Sequence, residues 1–308
     1  MSIALPTDSK ISAKLIKNKW QSILLAFRPK TLTASFVPCL AATALASAEG
    51  LPIKWWVFTY ALAASFLIQI GTNLVNDAMD FKKGADTSER IGPQRITQAG
   101  ILTSTQVMLL ATVFFISAMA FGLPLVIEGG LPIVIIGLLS VLMGYAYTAG
   151  PFPLAYRGLG DVFVILFFGL VAVMGLFFLH SKLWTVSAFI LGLQIGFHAT
   201  VLIAINNLRD IDGDAKVNKL TLAVRLGVEG ARKEIYFLCL APFVLQLYWL
   251  AQGRWMAAIL PFIALPLAFK IMKNIKSTPP SPHYNTFLGQ SAGLHLVFGG
   301  LLSLGFIL

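Results

Sequence analysis

Long apolar stretches without a single charged residue dominate the chain, and short polar segments separate them. A bilayer core about 30 Å thick takes about 20 apolar residues of helix. The apolar residues run continuously instead of alternating, which argues against strands. The pattern therefore predicts an all-α membrane protein with nine transmembrane helices. The nine stretches are 31–48, 55–76, 96–127, 129–156, 162–181, 183–208, 235–253, 255–269 and 277–308.

The stretch 255–269 is the shortest of the nine and contains Pro261 and Pro266. We expect this helix to extend into its flanks, with Arg254 and Lys270 reaching toward the two membrane surfaces. A re-entrant segment that enters and leaves the membrane on one side is the alternative.

The polar residues at the start of the chain set off a second region. Residues 1–26 are basic and polar, and no cleavable signal is evident in them. They are expected to be a cytoplasmic amphipathic segment on an anionic membrane surface, or alternatively a basic anchor with no further role. Residues 27–308 are expected to form a single transmembrane domain with cytoplasmic cap loops.

Composition supports this class and removes others. Charged residues make up 12% of the 308 residues, against about 25% in soluble domains. This excludes a soluble enzyme, a disordered protein and a disulfide scaffold. Cys39 and Cys239 both lie in apolar stretches, so they are expected to be small core residues.

Lysine and arginine predict the orientation. With nine spans, 20 of the 23 basic residues fall on the side of the N-terminus, and only Lys54, Lys182 and Arg254 fall on the other. That side is expected to be cytoplasmic, with the N-terminus in and the C-terminus out. The net charge of +10 is thus largely explained by the basic residues that orient the protein in the membrane. We expect no nucleic-acid partner. The sequence does not indicate an oligomeric state.

Acidic residues form two clusters that topology does not require, one after the second span and one after the sixth. Asp77 and Asp80 are spaced i, i+3, and Asp210 and Asp214 are spaced i, i+4. On a continuing helix each pair shares a face. Hard carboxylate and amide oxygens suit Mg²⁺. The predicted metal ligands are Asp77, Asp80, Asp210, Asp214 and Asn76, with Asn73 and Asn206 ligating or orienting nearby groups.

Basic residues alternate with these acids, and cations beside metal-binding carboxylates are what a diphosphate requires. The pattern predicts Mg²⁺-diphosphate binding at the boundary between membrane and cytoplasm. A solvated salt-bridge surface is the structural alternative, and Lys82 could equally be a positive-inside residue. The candidate diphosphate-binding residues are Lys82, Arg90, Arg95, Arg209, Lys216, Asn73 and Asn206.

These motifs resemble the UbiA superfamily of intramembrane prenyltransferases. The family has an NDxxD-type motif after its second helix and a DxxxD-type motif after its sixth, matched here by 76–80 and 210–214. The flanking segments 81–95, 147–160, 206–212 and 221–227 resemble its menaquinone branch. Many members have a third Asp where this chain has Gly84, so Asp86 or a water is expected to take its place.

The resemblance implies a reaction and an acceptor. It implies Mg²⁺-dependent transfer of a polyprenyl group from polyprenyl diphosphate to 1,4-dihydroxy-2-naphthoate, with decarboxylation, giving demethylmenaquinone and diphosphate. Other family members use acceptors such as 4-hydroxybenzoate or homogentisate, or a phytyl donor. An ion-coupled transporter is the alternative from another class. The transporter alternative is disfavoured because the acidic residues lie at the ends of spans on one side of the membrane, and no corresponding acidic cluster lies on the other side.

The same resemblance implies catalytic roles at the cytoplasmic ends of the fourth and fifth spans. Tyr145, Tyr147 and Tyr156 could stabilise an allyl cation, or could belong to an interfacial aromatic belt. Asp161 could accept the naphthol proton while Arg157 binds the acceptor carboxylate, or the two could form a simple i, i+4 ion pair. We expect one central cavity between two four-helix halves, with the ninth helix peripheral. The enzyme is expected to lie in the bacterial inner membrane, with lipid around the helix bundle.

Overall fold

The computed structural model describes residues 19–86, 91–93 and 95–308, apart from the side chains of 19–21 and 30. Within these ranges the secondary structure consists of helices, and no strand is present. Eleven helices are used below, and the longest connections between them are 83–103 and 147–159. They are α1 Lys19–Ala26, α2 Thr33–Ala48, α3 Trp55–Lys82, α4 Ser104–Gly129, α5 Leu131–Ala146, α6 Gly160–Ser181, α7 Val186–Arg209, α8 Ile211–Lys216, α9 Leu222–Ala251, α10 Trp255–Ser277 and α11 Tyr284–Ile307.

Each of the nine predicted stretches corresponds to one apolar helix, α2 to α7 and α9 to α11. Seven of these helices are long and apolar enough to cross a membrane. The other two, α2 and α5, have 16 residues each, or about 24 Å at the usual helical rise. The protein is therefore an integral membrane protein by the length and composition of its helices, while the count of nine spans and their orientation stay predictions.

The eighth stretch forms a helix as long as its neighbours. Helix α10 covers Trp255–Ser277, and its 3₁₀ segment Leu260–Ala264 includes Pro261. Pro266 lies in the first turn of the α-helical segment that follows. Because proline lacks an amide donor, it is tolerated at such helical starts. The helix thus extends into its flanks as expected, with a length that suits a span and not a re-entrant segment.

Small residues allow α6 and α7 to approach closely. A Cβ atom on Gly196 of α7 would lie 2.9 Å from the Ile165 carbonyl oxygen and 3.0 Å from the Gly169 Cα of α6. Side chains there would push the helices apart, so glycine is required by packing. Helix α7 is the most deeply buried of the long helices, and its C-terminal end carries the second acidic cluster.

The last helix is not peripheral, so that expectation is wrong. Helix α11 packs against α2, α7 and α10, and its Leu294, Phe298 and Leu302 side chains are fully buried. Its sequence is apolar on all sides, which leaves the burial of any one face undetermined. The first and last apolar helices of the bundle therefore meet.

A cavity of about 420 Å³ opens inside the first five apolar helices. Its lining comes from α2, α3, α4, α5 and α6, with no contribution from the described residues of α7 to α11. The expected position between two four-helix halves is thus only partly right, because the second half contributes α6 alone. The lining is mostly apolar, and Tyr147 and Thr72 stand toward the end where the acidic motifs lie.

The opposite end of the bundle, here called the far end, holds two ion-pair clusters. Glu128 contacts Lys54 at 2.9 Å and Lys182 at 2.5 Å. Arg254 contacts Glu49 at 2.8 Å. All three basic residues assigned to this side are thus paired with acids, which leaves little unbalanced positive charge there.

Candidate active site

Asp80 is the centre of the charged cluster. Its carboxylate is fully buried, and three side chains from different segments converge on it. Arg95 lies 3.0 Å from Oδ2, the Tyr156 hydroxyl donates to Oδ1 at 2.9 Å, and the Lys219 ammonium lies 3.6 Å from Oδ2. A buried carboxylate is stable only when it is paired and hydrogen-bonded in this way.

Asp77, one turn earlier on α3, holds the connection between α3 and α4, residues 83–103, here called the first cap loop. Its carboxylate accepts the backbone N–H groups of Ile96 at 3.2 Å and Thr97 at 3.3 Å, and also the Thr97 hydroxyl. The helix α3 continues through both acids to Lys82, as the i, i+3 spacing requires. A carboxylate has about four acceptor sites, so Asp77 fixes the loop and retains acceptor capacity.

The second acidic pair differs from the expected continuous helix. Helix α7 ends at Arg209, and Asp210 forms a junction before α8. The Asp214 amide still donates to the Asp210 carbonyl at 2.8 Å, so one helical turn separates the two acids despite the break. The correction is local, because Gly213 and three acids within five residues weaken helix formation at this point.

Arg209 is buried and holds the second motif together. Its guanidinium contacts both Asp210 oxygens, at 2.8 and 2.6 Å, and the Asn206 amide oxygen at 2.9 Å. Its Nη1 donates to the Asn285 Oδ1 of α11 at 2.6 Å. Asn285 in turn donates to the Ile91 carbonyl at 3.5 Å. The guanidinium thus joins α7 to α11 and, through Asn285, to the first cap loop.

Lys219 connects the two acidic motifs. Its ammonium lies 3.4 Å from the Asp214 carboxylate and 3.6 Å from that of Asp80. Burial raises the pKa of Asp214 to about 6, although Lys219 opposes this shift. Burial would lower the pKa of Lys219, but the Asp80 and Asp214 carboxylates outweigh it and the pKa rises. Both acidic clusters therefore belong to one site.

Arg95 balances the other side of Asp80. Its Nε lies 3.0 Å from the Asp86 carboxylate and its Nη2 lies 3.0 Å from Asp80, and all three groups are buried. Burial would lower the pKa of Arg95, but these carboxylates raise it on balance. Asp86 thus contributes an acid to the site where the third Asp of the family pattern is missing.

The oxygen ligands suit a hard divalent cation. Asn76 Oδ1 is buried and has no hydrogen-bond partner among the described residues, and Asp80 follows it by one turn. In the described ranges, three or more His, Cys, Asp or Glu side chains do not converge on one point. Lysine and arginine instead neutralise the acids. The donor chemistry fits Mg²⁺, with an ammonium between Asp80 and Asp214 where positive charge is needed.

The remaining predicted polar residues are more dispersed. Lys82 and Lys216 are exposed, and Arg90 lies outside the described residues. Asn73 donates to the Phe27 carbonyl at 3.1 Å and so holds the segment before α2. Lys83, one of the basic residues that alternate with the acids but not a predicted site residue, donates to the Thr148 carbonyl and lies 4.1 Å from the centre of the Tyr156 ring.

The aromatic residues separate into different environments. Tyr145 is 42% exposed, consistent with an aromatic belt, whereas Tyr147 lines the cavity. Tyr156, the third of the tyrosines expected near the cation, donates a hydrogen bond to Asp80, and the Lys83 and Lys219 ammonium groups lie 4.1 and 5.6 Å from its ring centre. Its signal in the sequence was its place in the loop between the fourth and fifth spans.

Asp161 and Arg157 do not form the ion pair that their spacing allows. Arg157 is exposed and stacks on Phe152, with its guanidinium carbon 4.3 Å from the ring centre. Asp161 is buried, and one of its carboxylate oxygens lies 3.5 Å from the Asn207 amide nitrogen. The other oxygen has no hydrogen-bond partner in the described part of the chain. A buried carboxylate oxygen that receives no hydrogen bond is available to take up a proton from a substrate.

Residues that the sequence analysis left without a role make several of the decisive contacts. They could not be recognised from spacing, because each contact crosses from one segment of the chain to another. The exception is Lys219, whose position beside the second acidic cluster was a visible signal. They are Lys83, Thr97, Lys219 and Asn285.

Comparison with known proteins agrees with this geometry. The chain is 36% identical to the 1,4-dihydroxy-2-naphthoate octaprenyltransferase of Escherichia coli, over 72% of this chain and 73% of that protein. It is 30% identical to the Bacillus subtilis protein of the same name, over 91% of this chain and 90% of that one.

Solved structures share the fold at low sequence identity. A UbiA homologue from Aeropyrum pernix, solved without ligand, has a TM-score of 0.66 at 15% identity and covers 89% of this chain and 96% of its own. One from Archaeoglobus fulgidus, bound to DMAPP and Mg²⁺, has a TM-score of 0.62 at 15% identity, covering 92% of this chain and 99% of its own. The UbiA prenyltransferase family matches residues 35–290. On these grounds the chain belongs to the UbiA prenyltransferase family.

Proposed function

We propose that this protein transfers a polyprenyl group from polyprenyl diphosphate to 1,4-dihydroxy-2-naphthoate, with Mg²⁺ as cofactor. The observation that supports this most directly is the convergence of Asp80 and Asp214 on Lys219, beside an apolar cavity. The bacterial relatives named 1,4-dihydroxy-2-naphthoate octaprenyltransferase favour this acceptor over 4-hydroxybenzoate and homogentisate. The same relatives disfavour a transporter.

Asn76, Asp80 and Asp214 are the proposed direct ligands of Mg²⁺. Asp77 and Asp210 lie next to these ligands and add negative charge to the site. Asp77 fixes the first cap loop, and Asp210 fixes the Arg209 guanidinium. A Mg²⁺ ion held by these ligands would supply positive charge for the diphosphate leaving group. Lys219 and Arg95 are the nearest cations to take up the phosphate oxygens, since both already lie against Asp80.

The cavity is the proposed site for the prenyl chain, because its lining is mostly apolar and a polyprenyl group has no hydrogen-bonding atoms. Tyr147 presents an aromatic ring at the end of the cavity toward the cluster, where it stabilises the allyl cation. A ring carbon of the acceptor bonds to the prenyl C1, diphosphate leaves, and the carboxylate leaves as CO₂. Asp161 takes up the hydroxyl proton and returns it to the naphtholate oxygen once CO₂ has left, and Arg157 attracts the carboxylate. The product is a quinol, detected after air oxidation as demethylmenaquinone.

Purified protein incubated with Mg²⁺, polyprenyl diphosphate and a panel of aromatic acids tests the proposal. Demethylmenaquinone and CO₂ are expected from 1,4-dihydroxy-2-naphthoate, and equal turnover of 4-hydroxybenzoate would contradict the acceptor assignment. Asp80→Asn and Asp214→Asn should each lower turnover by at least a hundredfold, because a ligand and a buried charge partner are lost together.

A matched control comes from the second motif itself. Asp212 lies between Asp210 and Asp214 but is exposed, so Asp212→Asn should retain turnover close to that of the wild type. If Asp212→Asn and Asp214→Asn lost activity equally across a Mg²⁺ titration, the ligand assignment would be wrong.

The enzyme is proposed to reside in the bacterial inner membrane, with the cluster facing the cytoplasm.

A further inference from the structure

One wall of the apolar cavity is polar, and the mechanism above does not use it. Ser65, Gln69 and Thr72 of α3 line the cavity one turn apart, together with Ser35 of α2. Polar side chains inside a membrane-spanning bundle are costly and commonly mark a functional path. Thr72 has a local explanation, because its hydroxyl donates to the Ile68 carbonyl at 2.8 Å.

Ser35 and Gln69 have no complete explanation from helix packing. Ser35 is 3% exposed, and within the ranges that the structure describes its hydroxyl has no hydrogen-bond partner. Gln69 Nε2 donates to the Thr31 hydroxyl at 3.3 Å, while no group in the described part of the chain donates to its Oε1. A buried polar atom without a partner costs free energy unless something binds to it. The two side chains therefore offer hydrogen-bonding capacity inside the cavity.

The position of this wall relates it to the reacting end of the substrates. Gln69 and Asn73 are one turn apart on α3 and both donate to the Thr31 hydroxyl, and Asp77 follows Asn73 by another turn. Gln69 thus lies about 6 Å from Asn73 along the helix, on the membrane side of the acidic cluster. Tyr147, directly after the last residue of α5, lines the same cavity. A flat aromatic ring bound in this cavity would therefore lie between the Gln69 and Tyr147 side chains.

We propose that Gln69, with Ser35 beside the same cavity, binds a ring hydroxyl of the aromatic acceptor. The prenyl chain cannot use these groups, because it has no donor or acceptor. In 1,4-dihydroxy-2-naphthoate the 1-hydroxyl is adjacent to the carboxylate and bonds to it internally. The 4-hydroxyl is therefore the free donor for Gln69 Oε1. This assignment rests on the proposed function and adds the residue that recognises a diol.

Equilibrium binding without the prenyl donor tests the assignment separately from catalysis. The variant is Gln69→Met, which keeps side-chain volume and removes the acceptor oxygen. The probes are 1,4-dihydroxy-2-naphthoate and 1-hydroxy-2-naphthoate, which lacks the 4-hydroxyl. The Kd of the diol should rise about tenfold in the variant, the cost of one buried hydrogen bond. The Kd of the monohydroxy acid should stay unchanged.

Ser35→Ala is the second variant and should raise the Kd of the diol several-fold with little effect on folding, because it removes one oxygen. Gln252→Met, in an exposed far-end loop, is the matched control and should bind both acids like the wild type. In steady-state turnover, Gln69→Met should raise KM for the diol and leave KM for polyprenyl diphosphate unchanged.

Equal losses of affinity for the two acids in Gln69→Met would overturn the assignment, as would a rise in the KM for the donor alone. A wild-type protein that binds the diol but transfers no prenyl group would count against the proposed function while the binding comparison still decides the role of Gln69. The two failures are therefore distinguishable.

Discussion

At the scale of single residues, the site depends on charge balance inside a poorly solvated region. Asp80 and Asp86 are buried, and Arg95 contacts both at 3.0 Å. Removing one partner of such a group leaves an uncompensated buried charge, which costs more than the pair contributes. The spacing of the acids along α3 could be predicted, but not which basic side chain would reach them.

Arg95→Met should therefore lower the free energy of unfolding by about 3–5 kcal/mol. The double variant Arg95→Met, Asp86→Asn should recover part of that loss, since one unpaired charge is removed. Thermal unfolding in detergent measures both. A double variant no more stable than the single one would show that Arg95 does not act on stability through Asp86.

At the scale of elements, contacts between helices bring the two motifs into one site. Asn285, in the first turn of α11, accepts from Arg209 at 2.6 Å and so steadies the guanidinium that holds Asp210. The last helix thereby contributes to the site, although nothing in its own sequence pattern marks it as functional.

Asn285→Ala should lower kcat about tenfold, because Arg209 loses one of its charge-assisted hydrogen bonds and Asp210 is held less firmly. Thermal stability should change little. Asn274→Ala is the control, since Asn274 donates to Gln290 across the α10–α11 contact at 3.1 Å, away from the acids. Equal losses of kcat in the two variants would mean that Asn285 acts only through helix packing.

The close contact between α6 and α7 makes a second prediction at this scale. Gly196→Ala should destabilise the protein by about 1–3 kcal/mol, because the new methyl group meets the Ile165 carbonyl and the α6 backbone. Gly300→Ala, in α11, meets no atom within 4 Å and should be neutral or slightly stabilising. Unfolding midpoints in detergent give the comparison, and equal midpoints would contradict the packing argument.

At the scale of the whole molecule, charge is distributed unequally between the two ends of the bundle. The far end pairs its three basic residues with Glu49 and Glu128, whereas the other end carries most of the lysine and arginine. By the positive-inside rule we predict that the far end faces away from the cytoplasm.

Cysteine labelling checks this orientation. Both native cysteines, Cys39 and Cys239, are buried and unbridged, so their background labelling should be low. In intact spheroplasts, a membrane-impermeant maleimide should label Gln252→Cys at the far end. Ser277→Cys, exposed at the motif end, should react only after lysis. The reverse pattern would invert the topology.

The sequence by itself determined the helical membrane class, the nine apolar segments and the two acidic motifs. These follow from local composition and from spacing along one helix, which the sequence contains directly. Only the tertiary structure decided that α11 is buried, that the cavity lies within α2–α6, and that Lys219 and Arg95 neutralise Asp80. Those facts depend on contacts between segments far apart in the chain. An apolar helix in a membrane can present any face to its neighbours, because hydrophobicity alone does not distinguish lipid from protein.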